Sequence, residues 1–257
     1  MKMRTNSRLI LMALALTVPA AYPQTAAPPT AAQKQAADLA AKSAKAWEPF
    51  AKSGSWMQRH EGFLERARQG KVDLLFLGDS ITDGWNKQKE LWDRYFAPLQ
   101  AANFGIGGDR TENIIWRLKN GELNGISPKV VVLLIGTNNT SKGDTPKDIA
   151  KGIRAILDMI RKQSPKTRVL LLGVYPRGEK PGEERTDRFR ANITAVNQIL
   201  SRYDGKKGVR YLYFGDRYLA AGGVIPKTLM PDFLHLSTEG YRIWADSIHP
   251  VVKEMMR

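Results

Sequence analysis

Ser80 follows the apolar run Val72–Leu77 and the pair Gly78-Asp79, where a buried strand would run into a polar turn. A serine hydroxyl is too weak a nucleophile near neutral pH to act without a base. The chain has three histidines. His60 falls in a polar helical stretch and His249 in the final helical pattern beside Pro250, whereas His235 lies in a loop, preceded at a spacing of three by Asp232. A carboxylate at that spacing can take the Nδ1 proton and leave Nε2 to face a serine, which fixes the tautomer a general base needs. Acyl transfer also needs donors for an oxyanion. Gly107 and Gly108 would let backbone N–H groups approach a ligand, and Asn138 offers a side-chain amide. Plainer roles are open to all of them: Ser80 as a helix cap, Asp232 and His235 as a surface pair, the glycines as a tight turn, Asn138 as a cap or Asx-turn. Asp79 reads as a turn-stabilising neighbour. Paired histidines and carboxylate clusters are missing and cysteine is absent, so neither a metal nor a cofactor is expected.

These residues need a scaffold that gathers distant loops. Short apolar runs at Val72–Leu77, Ala101–Phe104, Val130–Ile135, Val169–Val174 and Val209–Phe214 have the composition of strands buried on both faces. Helical patterns lie between and after them, at Lys87–Ala97, Arg110–Asn120, Pro146–Gln163, Glu184–Tyr203 and Thr238–Met256. Alternation of this kind predicts an α/β fold with a parallel sheet covered on both faces. Function then gathers at the carboxyl ends of the strands. Gly78-Asp79-Ser80, Gly105-Ile106-Gly107-Gly108-Asp109 and Gly136-Thr137-Asn138-Asn139 all follow strands, and the loop with Asp232 and His235 precedes the last helix. Thr82 stands where the Gly-x-Ser-x-Gly elbow of the α/β-hydrolases requires glycine, so a different scaffold is needed.

The chain of 257 residues opens on Lys2, Arg4 and Arg8, an apolar run over residues 9–18, and then Pro19 and small residues. That is the order of a secretory signal peptide, too short to span a bilayer. Residues 1–22 are therefore expected to be a signal peptide cut near residues 19–26, residues 23–46 a flexible Ala/Pro-rich leader ending in a marginal helix, and residues 47–257 the globular domain. A secreted or periplasmic location follows, without stable membrane insertion. The formal charge is +15, but the basic residues are scattered and not interleaved with aromatics. Nucleic acid is not expected as a partner.

The four loop blocks resemble, in order, those of the SGNH, or GDSL, hydrolases: Gly78-Asp79-Ser80-Ile81, Asn103 to Asp109, Gly136 to Asn139, and Asp232 to His235. Trp116 to Leu123 and Pro176 to Pro181 look like the branch holding the brain-type catalytic subunits of platelet-activating-factor acetylhydrolase and their bacterial relatives. The similarity runs from Trp56 onward. It implies a three-layer α/β/α sandwich of flavodoxin-like type with a five-stranded parallel sheet. It also implies Ser80 as nucleophile, His235 as general base and Asp232 as the acid that orients it, with an oxyanion hole formed by the N–H groups of Ser80 and Gly108 and the amide of Asn138. Segments 182–187 and 218–231 depart from the brain-type enzymes and flank the site, so the phospholipid substrate is not carried over. The expectation is a serine esterase acting on short-chain, acetyl-type esters of small molecules or carbohydrates. A lysophospholipase or thioesterase of the same family, or a non-catalytic basic module for anionic envelope polymers, are the alternatives. The resembled subunits form dimers, which makes a homodimer an expectation here.

Overall fold

The computed structural model describes residues 30–257, so the expected signal peptide lies outside the described residues. Strands β1 (Leu74–Gly78), β2 (Ala101–Gly105), β3 (Val130–Leu134), β4 (Arg168–Leu172) and β5 (Val209–Leu212) form one sheet in the order β2-β1-β3-β4-β5. Every pairing is parallel. All five residues of β1 and of β3 are buried, as a central strand with helices on both faces requires. Strand alternation then divides the core. Leu75, Leu77, Val131, Leu133 and Leu171 join one layer, and Leu74, Phe76, Val130, Val132 and Leu170 join the other.

The first layer is closed by α2 (Ser55–Arg68), α5 (Thr111–Lys119), α7 (Pro146–Gln163) and α8 (Glu184–Leu200), and the second by α4 (Lys89–Tyr95) and α9 (Thr238–Met255). The result is the expected three-layer α/β/α sandwich. In α7, Thr145 accepts from the Asp148 N–H at 3.2 Å, Pro146 occupies the first turn, and Ile149, Ile153, Ile156 and Ile160 form the buried stripe. Strands β3, β4 and β5 end earlier than the apolar runs suggest, whereas β1 and β2 run one residue further, to Gly78 and Gly105. Ile135, Val174 and Phe214 are buried but unpaired, because burial at the strand ends, not ladder pairing, selects apolar residues there.

The polar stretch around His60 is helix α2, and its stripe Trp56, His60, Phe63 and Ala67 faces the core. His60 is buried between Trp56 and Trp116, with ring centroids 6.2 and 5.1 Å away. Burial and the nearby Arg117 charge hold its imidazole below the usual range.

The chain divides after Asp38, and the sheet belongs to the second unit, Leu39–Arg257. Helix α1 (Ala31–Ser43) has no buried residue. Packing nevertheless begins before Trp47. The Lys142 ammonium donates to the Ala44 carbonyl, and the Thr111 hydroxyl donates to the Ala46 carbonyl at 2.7 Å. No described helix is long and apolar enough to cross a membrane.

The chain leaves β1 toward β2 on one side and returns past β1 to β3 on the other, so strand order reverses at β1. The carboxyl ends of β1 and β3 therefore diverge around a crevice, the usual place for ligands in open α/β sheets.

Candidate active site

Strand β1 ends at Gly78, where a Cβ would come within 2.4 Å of the Leu134 carbonyl oxygen, so glycine is needed for β3 to approach. Asp79 then caps the short helix α3 (Ser80–Asp83), its Oδ1 accepting the Ile81 N–H at 3.0 Å. Since Asp79 does the capping, the Ser80 hydroxyl is left to point elsewhere. Its Oγ lies 2.9 Å from His235 Nε2. Two long-range bonds brace this turn: the Tyr241 hydroxyl donates to the Ile81 carbonyl at 2.7 Å, and the Asn103 amide donates to the Thr82 carbonyl at 3.0 Å.

His235 Nδ1 lies 2.6 Å from Asp232 Oδ2. The other carboxylate oxygen accepts the N–H groups of His235 and Leu234, at 2.7 and 3.1 Å. Phe233 takes φ 60, in the left-handed region, which folds the loop tightly enough for one carboxylate to hold both ring and backbone. Partial burial works against ionisation of Asp232, but the bonds from His235 outweigh it and keep the carboxyl below its ordinary range. The side chains of His235 and Asp232 are 46 and 56% exposed, so the pair lies open to solvent.

Gly108 has φ +72 and sits in the loop after β2, and a Cβ on neighbouring Gly107 would stand 4.0 Å from that of Ser80. The Gly108 carbonyl is turned away and accepts from Lys52 at 2.7 Å. Its N–H has no acceptor among the described residues. Asn138 lies in the first turn of α6 (Thr137–Lys142), but Gly136, at φ 130, holds the cap position. The Asn138 amide instead donates one N–H to the Asp109 carbonyl at 2.8 Å, leaving its second for a ligand.

Asp109 ties these loops to the core. Its fully buried carboxylate accepts from Trp56 Nε1 at 2.6 Å, Lys52 at 3.2 Å and Arg117 at 2.8 Å. Arg117, also fully buried, reaches the Phe104 carbonyl at 2.7 Å and Glu122 at 2.9 Å. The sequence reading assigned no role to Trp56, Lys52, Arg117 or Glu122. Two charges, Arg117 and Glu122, among the apolar positions of the Trp116 to Leu123 stretch were the available signal.

Asp79 is buried next to the serine, with its Oδ2 unpartnered. Burial pushes its carboxyl up from 3.8 to about 7, with the Ile81 N–H opposing and the Asp109 charge adding to the rise. Between those values the folded chain binds more protons at this site than the unfolded chain, so stability falls as pH rises. Asparagine mimics the protonated acid. Asp79→Asn is expected to flatten the decline from pH 4 to 7, gaining on the order of 1–3 kcal/mol at neutral pH. Urea midpoints of both proteins across that range check it, and parallel profiles would place the titrating group elsewhere.

Beside the Gly108 and Asn138 donors opens a cavity of about 540 Å³ lined by Lys42, Gly108, Arg110, Asn138, Ser141 and Lys142. No apolar side chain lines it. A serine bonded to an imidazole and an imidazole bonded to a carboxylate form an arrangement competent for acyl transfer, and the loops carrying Gly108 and Asn138 hold N–H groups without a partner among the described residues.

The fold and this site define a hydrolase of acyl esters. Residues 76–243 match the sequence profile of the GDSL-like lipase/acylhydrolase family, and the chain belongs to it. It is 38% identical to platelet-activating factor acetylhydrolase IB subunit alpha2 of Rattus norvegicus over 202 residues, 78% of this chain and 85% of the relative. Against subunit alpha1 of Homo sapiens it is 35% identical over 204 residues, 79 and 85% of the two chains. Among solved structures, a GDSL-like lipase from Bacteroides thetaiotaomicron superposes with a TM-score of 0.59 at 18% identity, covering 86% of this chain and 96% of that one. An acetyl xylan esterase superposes with a TM-score of 0.56 at 21% identity, covering 70 and 100%. The two structures share the fold.

Proposed function

We propose that this acylhydrolase is an exported serine esterase that removes short acyl groups, acetyl foremost, from carbohydrate hydroxyls through Ser80, His235 and Asp232. Ser80 Oγ attacks the ester carbonyl while its proton passes to His235 Nε2. The oxyanion is met by the N–H groups of Ser80 and Gly108 and by the free N–H of Asn138. As the tetrahedral intermediate collapses, Nε2 gives the proton to the leaving alcohol, and Ser80 is left acylated. Water then attacks the acyl-enzyme, giving a proton to Nε2 that returns to Ser80 as the acid departs. Asp232 keeps the imidazole in the tautomer this sequence needs.

The observation that carries this reading is the unbroken chain from Ser80 Oγ through His235 to Asp232, at 2.9 and 2.6 Å. The preference for a short acyl group rests on the cavity beside the donors. A longer chain gains about 0.8 kcal/mol per methylene only where apolar surface receives it, and no Leu, Ile, Val, Phe or other apolar side chain lines that wall. Curated relatives named acetylhydrolases point the same way. The open setting of His235 and Asp232 leaves room for a bulky alcohol such as a sugar polymer, and export, the expectation from the signal-peptide-like start, would bring such polymers within reach. A series of p-nitrophenyl esters from acetate to dodecanoate, run beside acetylated xylo-oligosaccharides and lysophosphatidylcholine, tests it. Expected are a fall in kcat/KM of roughly tenfold or more beyond butyrate and release of acetate from the sugars. A maximum at long chains, or faster turnover of the lysophospholipid, would sink it.

A further inference from the structure

We infer that the cavity beside Gly108 and Asn138 is a subsite for a carboxylate carried by the ester, so that the enzyme prefers anionic esters over neutral ones. The inference rests on Ser80 being the nucleophile. Three of the six lining residues are cations, Lys42, Arg110 and Lys142, and none is an acid. The carboxylates that pair with Arg110 and Lys142 are not among the lining residues. Glu112, fully buried, takes Arg110 at 2.8 Å and Lys142 at 3.4 Å, and Asp144, with its side chain 15% exposed, takes Lys142 at 3.2 Å. The Asn139 amide donates to both acids, at 3.0 and 2.8 Å, and holds them inward.

Lys42 forms no ion pair among the described residues. A fourth cation, Lys52, bonds the Gly108 carbonyl on the rim, and its acid, Asp109, is fully buried and already shared with Arg117. Each acid thus spends its charge toward the interior while the ammonium and guanidinium groups border the cavity. Lys42, Arg110 and Lys142 against Glu112 and Asp144 leave the wall a net positive charge carried by Lys42, unpaired among the described residues, and a concave site of net positive charge raises the local concentration of anions.

This places a carboxylate within reach of the scissile bond, because Gly108 and Asn138 belong both to the cavity wall and to the donors around Ser80. The carboxylate can sit in the acyl part or in the alcohol part of the ester, and two matched pairs separate these sources. For the acyl part the pair is p-nitrophenyl hydrogen succinate against p-nitrophenyl butyrate. For the alcohol part it is an acetylated methyl glucuronoside against the acetylated methyl glucoside.

In at least one pair the anionic ester is expected to have the higher kcat/KM, by roughly three- to tenfold at low salt, the range of one to two partly exposed ion pairs. The ratio should shrink toward one at about 0.5 M sodium chloride. Lys42→Glu should lower it by roughly threefold or more. Lys42 is exposed, and a ratio taken within one preparation does not depend on how much protein is folded. Equal rates for both members of both pairs, or a ratio indifferent to Lys42→Glu and to salt, would overturn the subsite while leaving the esterase standing. Failure to hydrolyse any of the four esters would overturn both.

Discussion

Ser80→Ala is expected to lower kcat/KM for p-nitrophenyl acetate by at least about a thousandfold, the scale of losing a triad nucleophile. The structure also predicts that little else changes. The hydroxyl is only half buried, and its one side-chain partner, His235 Nε2, is open to water that can replace it. Helix α3 keeps its cap, because that bond comes from Asp79. The thermal midpoint should therefore stay within the range of an ordinary surface change, about 0.5 kcal/mol in stability. Whatever activity remains comes from water attacking an ester still held by the Gly108 and Asn138 donors. An alanine variant hydrolysing as fast as the parent would remove Ser80 from the mechanism.

Arg117→Met should have the largest effect on stability. The guanidinium holds Asp109, Glu122 and the Phe104 carbonyl, with no exposed side chain in the cluster. Methionine fills much of the volume but leaves Glu122 without a cation in a dry site. Breaking a buried pair from one side costs about 3–5 kcal/mol, and for a domain of this size that lowers Tm by roughly 6–20 °C. Activity should fall as well at temperatures where the protein is still folded, because Asp109 loses an anchor and its carbonyl positions Asn138. Arg117→Lys keeps the charge without the fork that reaches three acceptors and should fall between. Calorimetry of the three proteins checks the order. An unchanged midpoint for the methionine variant would show that Trp56 and Lys52 hold the loop by themselves.

The sheet was legible in the sequence because strands buried on both faces leave continuous Val, Leu and Ile runs, and β1 and β3 are of that kind. The loops at its carboxyl edge were legible too, since each is a short local segment with glycine, serine, asparagine or histidine in a telling place. What joins the loops was not. Trp56 and Lys52 reach Asp109 across 53 and 57 residues of chain, and periodicity carries no trace of such a partnership. The helical stretch around His60 was legible but its buried face was not, because that stripe includes a histidine, which counts as polar in a pattern yet packs as an aromatic between Trp56 and Trp116. The placement of Glu112 against Arg110 and Lys142 could not be read without side-chain directions.

Asp232 grips both the ring and the backbone of His235 across a four-residue turn. The imidazole and the carboxylate that holds it are therefore a single cassette, fixed internally by bonds within four residues. That cassette is moored by the Gly178 N–H to the Phe233 carbonyl at 3.0 Å, by the Ser237 N–H to the Leu229 carbonyl at 2.9 Å, by the Ser237 hydroxyl to the Thr228 carbonyl at 2.6 Å and by the buried Met230 and Leu236. Exposed positions between Leu219 and Lys227 can change without disturbing the ring's partner, provided the moorings and the buried Tyr218 and Ile225 survive.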